Sequence, residues 1–191
     1  MCGLGDKDRR QISPPPFVKV SPFDITTGRP LDSTSIELSQ LVLVVELWSP
    51  DETQDLTLNQ NIQNVVDGDH LNNSTKHSNQ PVSSDSEESM GDVPTRNLIG
   101  STVLNAFSLL NDRHEQGIWF ILGDLSVRIE GEFKLKLNLL DLSTDRSISA
   151  FSNTFKVYSA KKFPGVVDSM PLGRVFASQG VKIPIRREMR D

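Results

Sequence analysis

Cysteine is nearly absent from this 191-residue chain; Cys2 is the only one. No intramolecular disulfide can form, and no multi-cysteine zinc site can be assembled. Histidine is almost as scarce. His70 and His77 lie in a polar stretch unable to hold ligand geometry, which leaves His114 alone. No run of 18 apolar residues occurs, so no segment reads as a membrane-spanning helix. Residues 1–10 lack the apolar core of a secretory signal. Together these absences point to an intracellular protein without membrane attachment. The motifs of catalysis are missing too. There is no phosphate-cradling glycine loop with its lysine and no nucleophile elbow. Asp67-Gly-Asp69 opens like a calcium loop, but Ser78 stands where the bidentate glutamate belongs. No enzyme, metal or cofactor is therefore expected.

The charge that is present is unevenly spread. Twenty basic and 25 acidic side chains give a formal net charge of −5, which as an average argues against a nucleic-acid partner. Residues 51–97 hold nine of the acids and only two bases, Lys76 and Arg96, a net of −7. The remaining chain carries 18 bases and 16 acids. Its most basic part is residues 156–191, with eight bases against three acids. One acidic segment thus masks a mildly basic remainder.

Residues 59–97 are rich in Asn, Ser, Asp, Gln and Thr. Ordering costs roughly 1–2 kcal/mol per backbone residue, and this composition buries too little apolar surface to offset it. The division expected is a domain in two halves, residues 1–58 and 98–191, around a disordered acidic insertion at 59–97. Its negative charge would oppose the approach of DNA to basic loops. Asn73-Ser-Thr75 matches a glycosylation acceptor but has no meaning without secretion, and Ser84-Asp-Ser-Glu-Glu88 has the form of an acidic-directed kinase site.

Residues 36–48 are the clearest strand. Leu41, Leu43, Val45 and Leu47 share one face and Val42, Val44 and Trp48 the other, which predicts cover on both sides. Phe17-Val-Lys-Val20, after three prolines, is a second strand, and residues 118–122 a third. Two alternating stretches follow. Leu125, Val127 and Ile129 face inward in the first, with Ser126, Arg128 and Glu130 outward. In the second, Phe133, Leu135, Leu137 and Leu139 face inward. Only Glu130-Gly131-Glu132 separates them, which predicts a hairpin; Arg128 on its polar face then pairs across the strands with a carboxylate such as Glu132, or else touches phosphate. Residues 151–157 form one more strand. Residues 98–110 fit either a helix by spacing or an extended chain by composition. A helix is expected from Pro171, capped by Asp168 or Ser169, with Leu172, Val175 and Phe176 as its stripe and Gly180 as its stop. Many short strands and one late helix favour an antiparallel β-sandwich. Trp48 and Trp119 belong to its core, while Phe163 and Phe176 suit either core or a dimer surface.

Three blocks carry a resemblance. Residues 1–16, with Cys2-Gly-Leu-Gly-Asp-Lys-Asp-Arg-Arg10 and Ser13-Pro-Pro-Pro16, resemble the opening of the fungal velvet domain. Gly117-Ile-Trp-Phe-Ile-Leu-Gly-Asp-Leu-Ser-Val-Arg128 with Glu130-Gly131 is similar to its central block. Tyr158-Ser-Ala-Lys-Lys-Phe-Pro-Gly165, Pro171-Leu172, Phe176-Ala177 and Gly180-Val-Lys-Ile-Pro-Ile-Arg186 are similar to its closing block. The polar insert and the form of the first block most resemble the velvet-like B branch. The family domain usually opens with an additional strand of the Ile-Arg-Gln-Gln-Pro type ahead of the position of Met1. Without it the neighbouring sheet edge would stand open to aggregation or partner pairing.

The resemblance implies an immunoglobulin-like, Rel-homology-like sandwich. It also implies a sequence-specific DNA-binding transcriptional regulator of fungal development, sporulation and secondary metabolism. Such a protein would act as a homo- or heterodimer with other velvet proteins, in the nucleus with a cytoplasmic pool, with a methyltransferase-like regulator as a further partner. The implied contacts with double-stranded DNA fall on Lys7, Arg9 and Arg10 of the first loop, Lys161 and Lys162 of a second, and Arg186 and Arg187 near the end. Each has a plainer reading. The first loop is also a solvated turn partly neutralised by Asp6 and Asp8. The lysine stems also cover apolar surface. Arg186, Arg187 and Arg190 also suit nuclear import. The rival expectation is a protein-interaction subunit that supports import and assembly of a velvet heterocomplex without touching DNA.

Overall fold

A computed structural model describes residues 10–59, 95–165 and 167–185. Lys7, Arg9, Arg186, Arg187 and most of the expected insertion at 59–97 lie outside these residues.

The described chain is mainly β, built from antiparallel strands. In order these are β1 (Phe17–Val20), β2 (Leu41–Trp48), β3 (Leu58–Asn59), β4 (Thr95–Arg96), β5 (Leu98–Ile99), β6 (Val103–Asn105) and β7 (Phe107–Leu110). Then come β8 (Gln116–Ile121), β9 (Ser126–Val127), β10 (Gly131–Asp141), β11 (Arg146–Phe151), β12 (Phe155–Val157) and one helix, α1 (Pro171–Ser178). One sheet runs β1-β8-β7. The other runs β11-β10-β2-β6, with β12 continuing along β10. Two short ladders, β3-β4 and β5-β9, complete the pairing.

The sheets face each other across one core. Leu41, Leu43, Val45 and Leu47 of β2 meet Phe133 and Leu135 of β10, Val157 of β12, and Ile118 and Phe120 of β8. The alternation read for β2 is therefore real, but its consequence differs from expectation. Only the odd-numbered face is buried; Val42, Val44 and Trp48 are half-exposed. Trp48 belongs to a cross-strand cluster on the outer face, edge-on to Phe151 with the Lys136 ammonium 4.3 Å from its ring. Its indole N–H donates to Glu46 at 3.0 Å. A polar outer face absorbs the tryptophan without a third layer.

The strand covered on both sides is β8. Ile118 and Phe120 point into the sandwich, while Trp119 and Ile121 point outward beneath α1. Phe176 of α1 is fully buried there, edge-on to Trp119 (5.0 Å) and Phe17 (5.2 Å). Phe176 is thus core rather than dimer surface. Gly173 brings the helix close; a Cβ there would lie 3.3 Å from the Phe17 ring. The helix starts at Pro171, as its fixed φ favours, but its N-cap is Met170 and makes no side-chain capping bond. Asp168 and Ser169 fall outside the cap. Gly180, at φ +92°, lies just past the helix end as expected.

At that end Gln179 acts as a substitute strand. Its carboxamide accepts from Leu110 N–H at 2.8 Å and donates to Leu110 C=O at 2.9 Å, occupying the open side of β7. Gln179→Ala removes both bonds from an exposed position, with an expected loss of about 1 kcal/mol in denaturant unfolding. A loss below the error of the measurement would show that water replaces them fully.

The predicted hairpin between the two alternating stretches does not form. β9 pairs with β5, and β10 with β2, β11 and β12. The chain crosses between sheets at Glu130–Gly131 instead of folding back. Arg128 and Glu132 are consequently not cross-strand neighbours. Glu132 sits opposite Lys156 in the β10–β12 ladder, with the charges 3.5 Å apart. Arg128 Nε is buried with no hydrogen-bond partner. The true hairpin is β10–β11, turned at residues 142–145, with Asp145 at φ +53°. Residues 151–157 divide between two strands, because Ser152 breaks the ladder and its hydroxyl accepts from Leu135 N–H. Residues 98–110 resolve as three extended pieces, β5, β6 and β7.

The margins of the expected insertion are paired. β3 and β4 form a two-rung antiparallel ladder, and Asn97 is buried with its amide donating to Leu56 C=O at 3.0 Å. The two halves of the domain therefore meet directly at the base of that segment.

Candidate nucleic-acid interface

Two short segments carry the described cations of interest, and the sandwich fixes both. Gln11 bridges to Ser126, and Ile12 N–H donates to Leu125 C=O at 2.7 Å. Ile12 also packs on the core. Arg10 is held one residue beyond this anchor, exposed. The second segment leaves β12 at Val157, whose side chain is buried, and turns at once. Lys162 N–H donates to Ser159 C=O at 3.1 Å, closing a four-residue turn with Ala160 and Lys161 at its tip. Lys161 and Lys162 are both exposed.

The two segments are neighbours. A cleft of about 190 Å³ is bordered by Arg10–Ser13 on one side and by Lys156, Tyr158 and Phe163-Pro164-Gly165 on the other. A second cleft of similar volume joins Arg10 to Asp168, Pro184 and Ile185. Arg10 thus borders Tyr158 and Phe163, the residues on either side of the turn that carries the two lysines, and also the chain at Pro184 and Ile185. Both clefts fall short of the roughly 300–1,000 Å³ that enclose small ligands. Among the described residues no group of three or more His, Cys, Asp or Glu side chains comes together as a metal site.

The cations at this end are not equivalent. Lys162 Nζ lies 3.1 Å from the Glu130 carboxylate. The Lys162 ammonium, and secondarily the Ser159 hydroxyl and amide, hold the Glu130 carboxyl below its ordinary range. Lys156 is paired with Glu132 and lies 5.7 Å from the Tyr158 ring centre. Among the described residues, Arg10 and Lys161 enter no ion pair. Reading the sequence singled out Arg10, Lys161 and Lys162 but passed over Gln11, Lys156 and Tyr158 in the same cleft. The outward position of Lys156 between Phe155 and Val157 was the available signal.

Residues 1–190 match the family described as velvet factor. The chain belongs to the velvet family. It is 32% identical to a velvet complex protein of Aspergillus flavus, over 98% of this chain and 75% of that protein. It is 30% identical to velvet complex subunit RYP3 of Ajellomyces capsulatus, again over 98% and 75%. Velvet complex subunit 2 of Hypocrea jecorina is 30% identical, with 98% of this chain and 60% of that protein covered. The resemblance read from three blocks of sequence therefore extends over residues 1–190 of this chain, and its described part is mainly antiparallel β with one late helix.

Proposed function

We propose that this velvet chain is a non-enzymatic transcriptional regulator that binds double-stranded DNA through the end of the sandwich bearing Arg10 and Lys161. It works as a homo- or heterodimer with other velvet proteins in the nucleus, with a cytoplasmic pool, and serves fungal development, sporulation and secondary metabolism. A methyltransferase-like regulator is a further partner in this reading. The observation that supports it is that Arg10 shares clefts with Tyr158 and Phe163, which flank the Ser159–Lys162 turn, and with Pro184 and Ile185, three segments distant in sequence. Cations on separate rigid loops suit phosphates spaced along a duplex, with arginine able to read guanine edges in the major groove.

Four to five neutralised phosphates predict a slope of log affinity against log salt near −4 on B-DNA. Fluorescence anisotropy with a labelled duplex measures it. Arg10→Ala and Lys161→Ala should each flatten the slope by about 0.9 and leave the unfolding midpoint unchanged. A salt-independent affinity would remove the reading.

The second reading is an interaction subunit that does not itself touch DNA. It is favoured by the carboxylates set against Lys156 and Lys162, and by the names of the relatives, which are subunits of a velvet complex. A gel shift of the chain alone, beside the chain mixed with a velvet partner, separates the two. Binding that needs the partner and survives Arg10→Ala and Lys161→Ala favours the interaction role.

A further inference from the structure

We propose that Glu130 is a positioning residue of this interface: it commits Lys162, so that Lys161 alone of the lysine pair meets a phosphate without first leaving a carboxylate. The inference rests on the DNA-binding reading and deepens it.

The geometry is local. Glu130 ends the stretch that follows β9, immediately before the chain crosses at Gly131 into β10. Its backbone is therefore anchored on both sides. The carboxylate takes the Lys162 ammonium at 3.1 Å. One carboxylate thus holds the last residue of a four-residue turn that the Lys162 N–H to Ser159 C=O bond closes. Among the described residues, the lysine left at the tip without an ion pair is Lys161.

Lys162 and Glu130 remain 71% and 41% exposed, so the pair is a screen rather than a lock. Exposed pairs are worth about 0.2–1 kcal/mol, which a phosphate overcomes only where it gains more elsewhere. Converted at 1.4 kcal/mol per tenfold, that is a penalty of roughly one-and-a-half- to fivefold on any duplex. The penalty falls equally on every sequence. It therefore lowers affinity for every duplex by the same factor and leaves the ratio of specific to non-specific binding unchanged.

The test uses the full chain, with Glu130→Gln as the central variant because glutamine keeps the size and hydrogen-bonding capacity of the side chain while losing its charge. Brief acetylation with acetic anhydride, followed by mass spectrometry, reads each amine without DNA. Lys161 should label faster than Lys162 in the parent, and the two rates should converge in Glu130→Gln. With a random-sequence duplex, Glu130→Gln should bind two- to fivefold tighter, with a salt slope steeper by about 0.9; Glu130→Gln with Lys162→Ala should return to the parent slope. Equal labelling of the two lysines in the parent overturns the proposal whatever the DNA result. Tighter binding that persists in the double variant overturns it too, since the gain would then come from losing a carboxylate near DNA and not from freeing Lys162. Differential labelling with no duplex binding by any variant upholds the tie between Glu130 and Lys162 and removes the DNA reading instead.

Discussion

Phe176→Ala should cost about 3–5 kcal/mol, the range for emptying a fully buried aromatic site. Phe176 has no solvent exposure and wedges between Trp119 and Phe17. It is the one fully buried side chain that α1 contributes, and Leu172, Val181 and Ile183 pack around the same cluster. Removing the ring leaves an eight-residue helix with no capping bond from its N-cap side chain. Helices this short have no independent stability in water. The expected result is therefore more than a lower midpoint in denaturant. Amide exchange in α1 and residues 181–183 should accelerate before that of β2 and β10, whose core is separate. Against a total stability of about 5–15 kcal/mol, a loss of this size leaves little margin. The chain running toward Arg186 and Arg187 follows directly from this segment, so duplex affinity should fall with it. A loss under about 1 kcal/mol, the size typical of an ordinary substitution, would mean that the helix is not docked as described.

What could be read from the sequence divides along physical lines. The alternation in β2 and in the first half of β10 is plain because one face of each is buried against the opposing sheet. β11 left no such trace. Its residues are exposed on both faces except Phe151, since the strand overhangs the other sheet, and an edge strand without a buried face has no hydrophobic period. The false hairpin at Glu130-Gly131-Glu132 has a related cause. Short separations favour hairpins, but nothing local records that β9 prefers β5 and β10 prefers β2; that choice is made by distant partners. Phe176 was legible as part of a stripe and illegible as core, because its depth depends on Trp119, far off in the chain. At the interface, Arg10, Lys161 and Lys162 were legible as cations in loops. Their inequality was not. Glu130 lies 32 residues before Lys162, and only the crossing from β9 to β10 brings it to the turn.

Gly100 and Gly165 offer a matched pair that separates backbone strain from steric overlap. Both adopt a left-handed φ, +111° and +113°. A non-glycine residue in such a region costs roughly 1–3 kcal/mol. For Gly165 that is the whole effect, because an added Cβ meets nothing within 4 Å. For Gly100 the Cβ would stand 2.5 Å from the Asp124 carbonyl oxygen and 3.2 Å from Leu125 Cα, both backbone atoms with no freedom to rotate away. Relief requires β5 to part from the 124–125 segment, and that movement pulls Ser101 off the Asp124 carboxylate, where its hydroxyl donates at 2.7 Å and its amide at 3.1 Å. Gly100→Ala should therefore lose more than the backbone term alone, about 3 kcal/mol or more in guanidinium unfolding. Gly165→Ala should lose about 1–2 kcal/mol. Gly165 follows the Lys161–Lys162 turn and borders the cleft with Arg10. Its substitution should therefore change duplex affinity at a denaturant midpoint only slightly lowered, whereas Gly100→Ala should lower the midpoint and leave affinity intact in whatever fraction remains folded. Equal losses from the two variants would show that φ governs both sites and that the approach of Asp124 to Gly100 carries no weight.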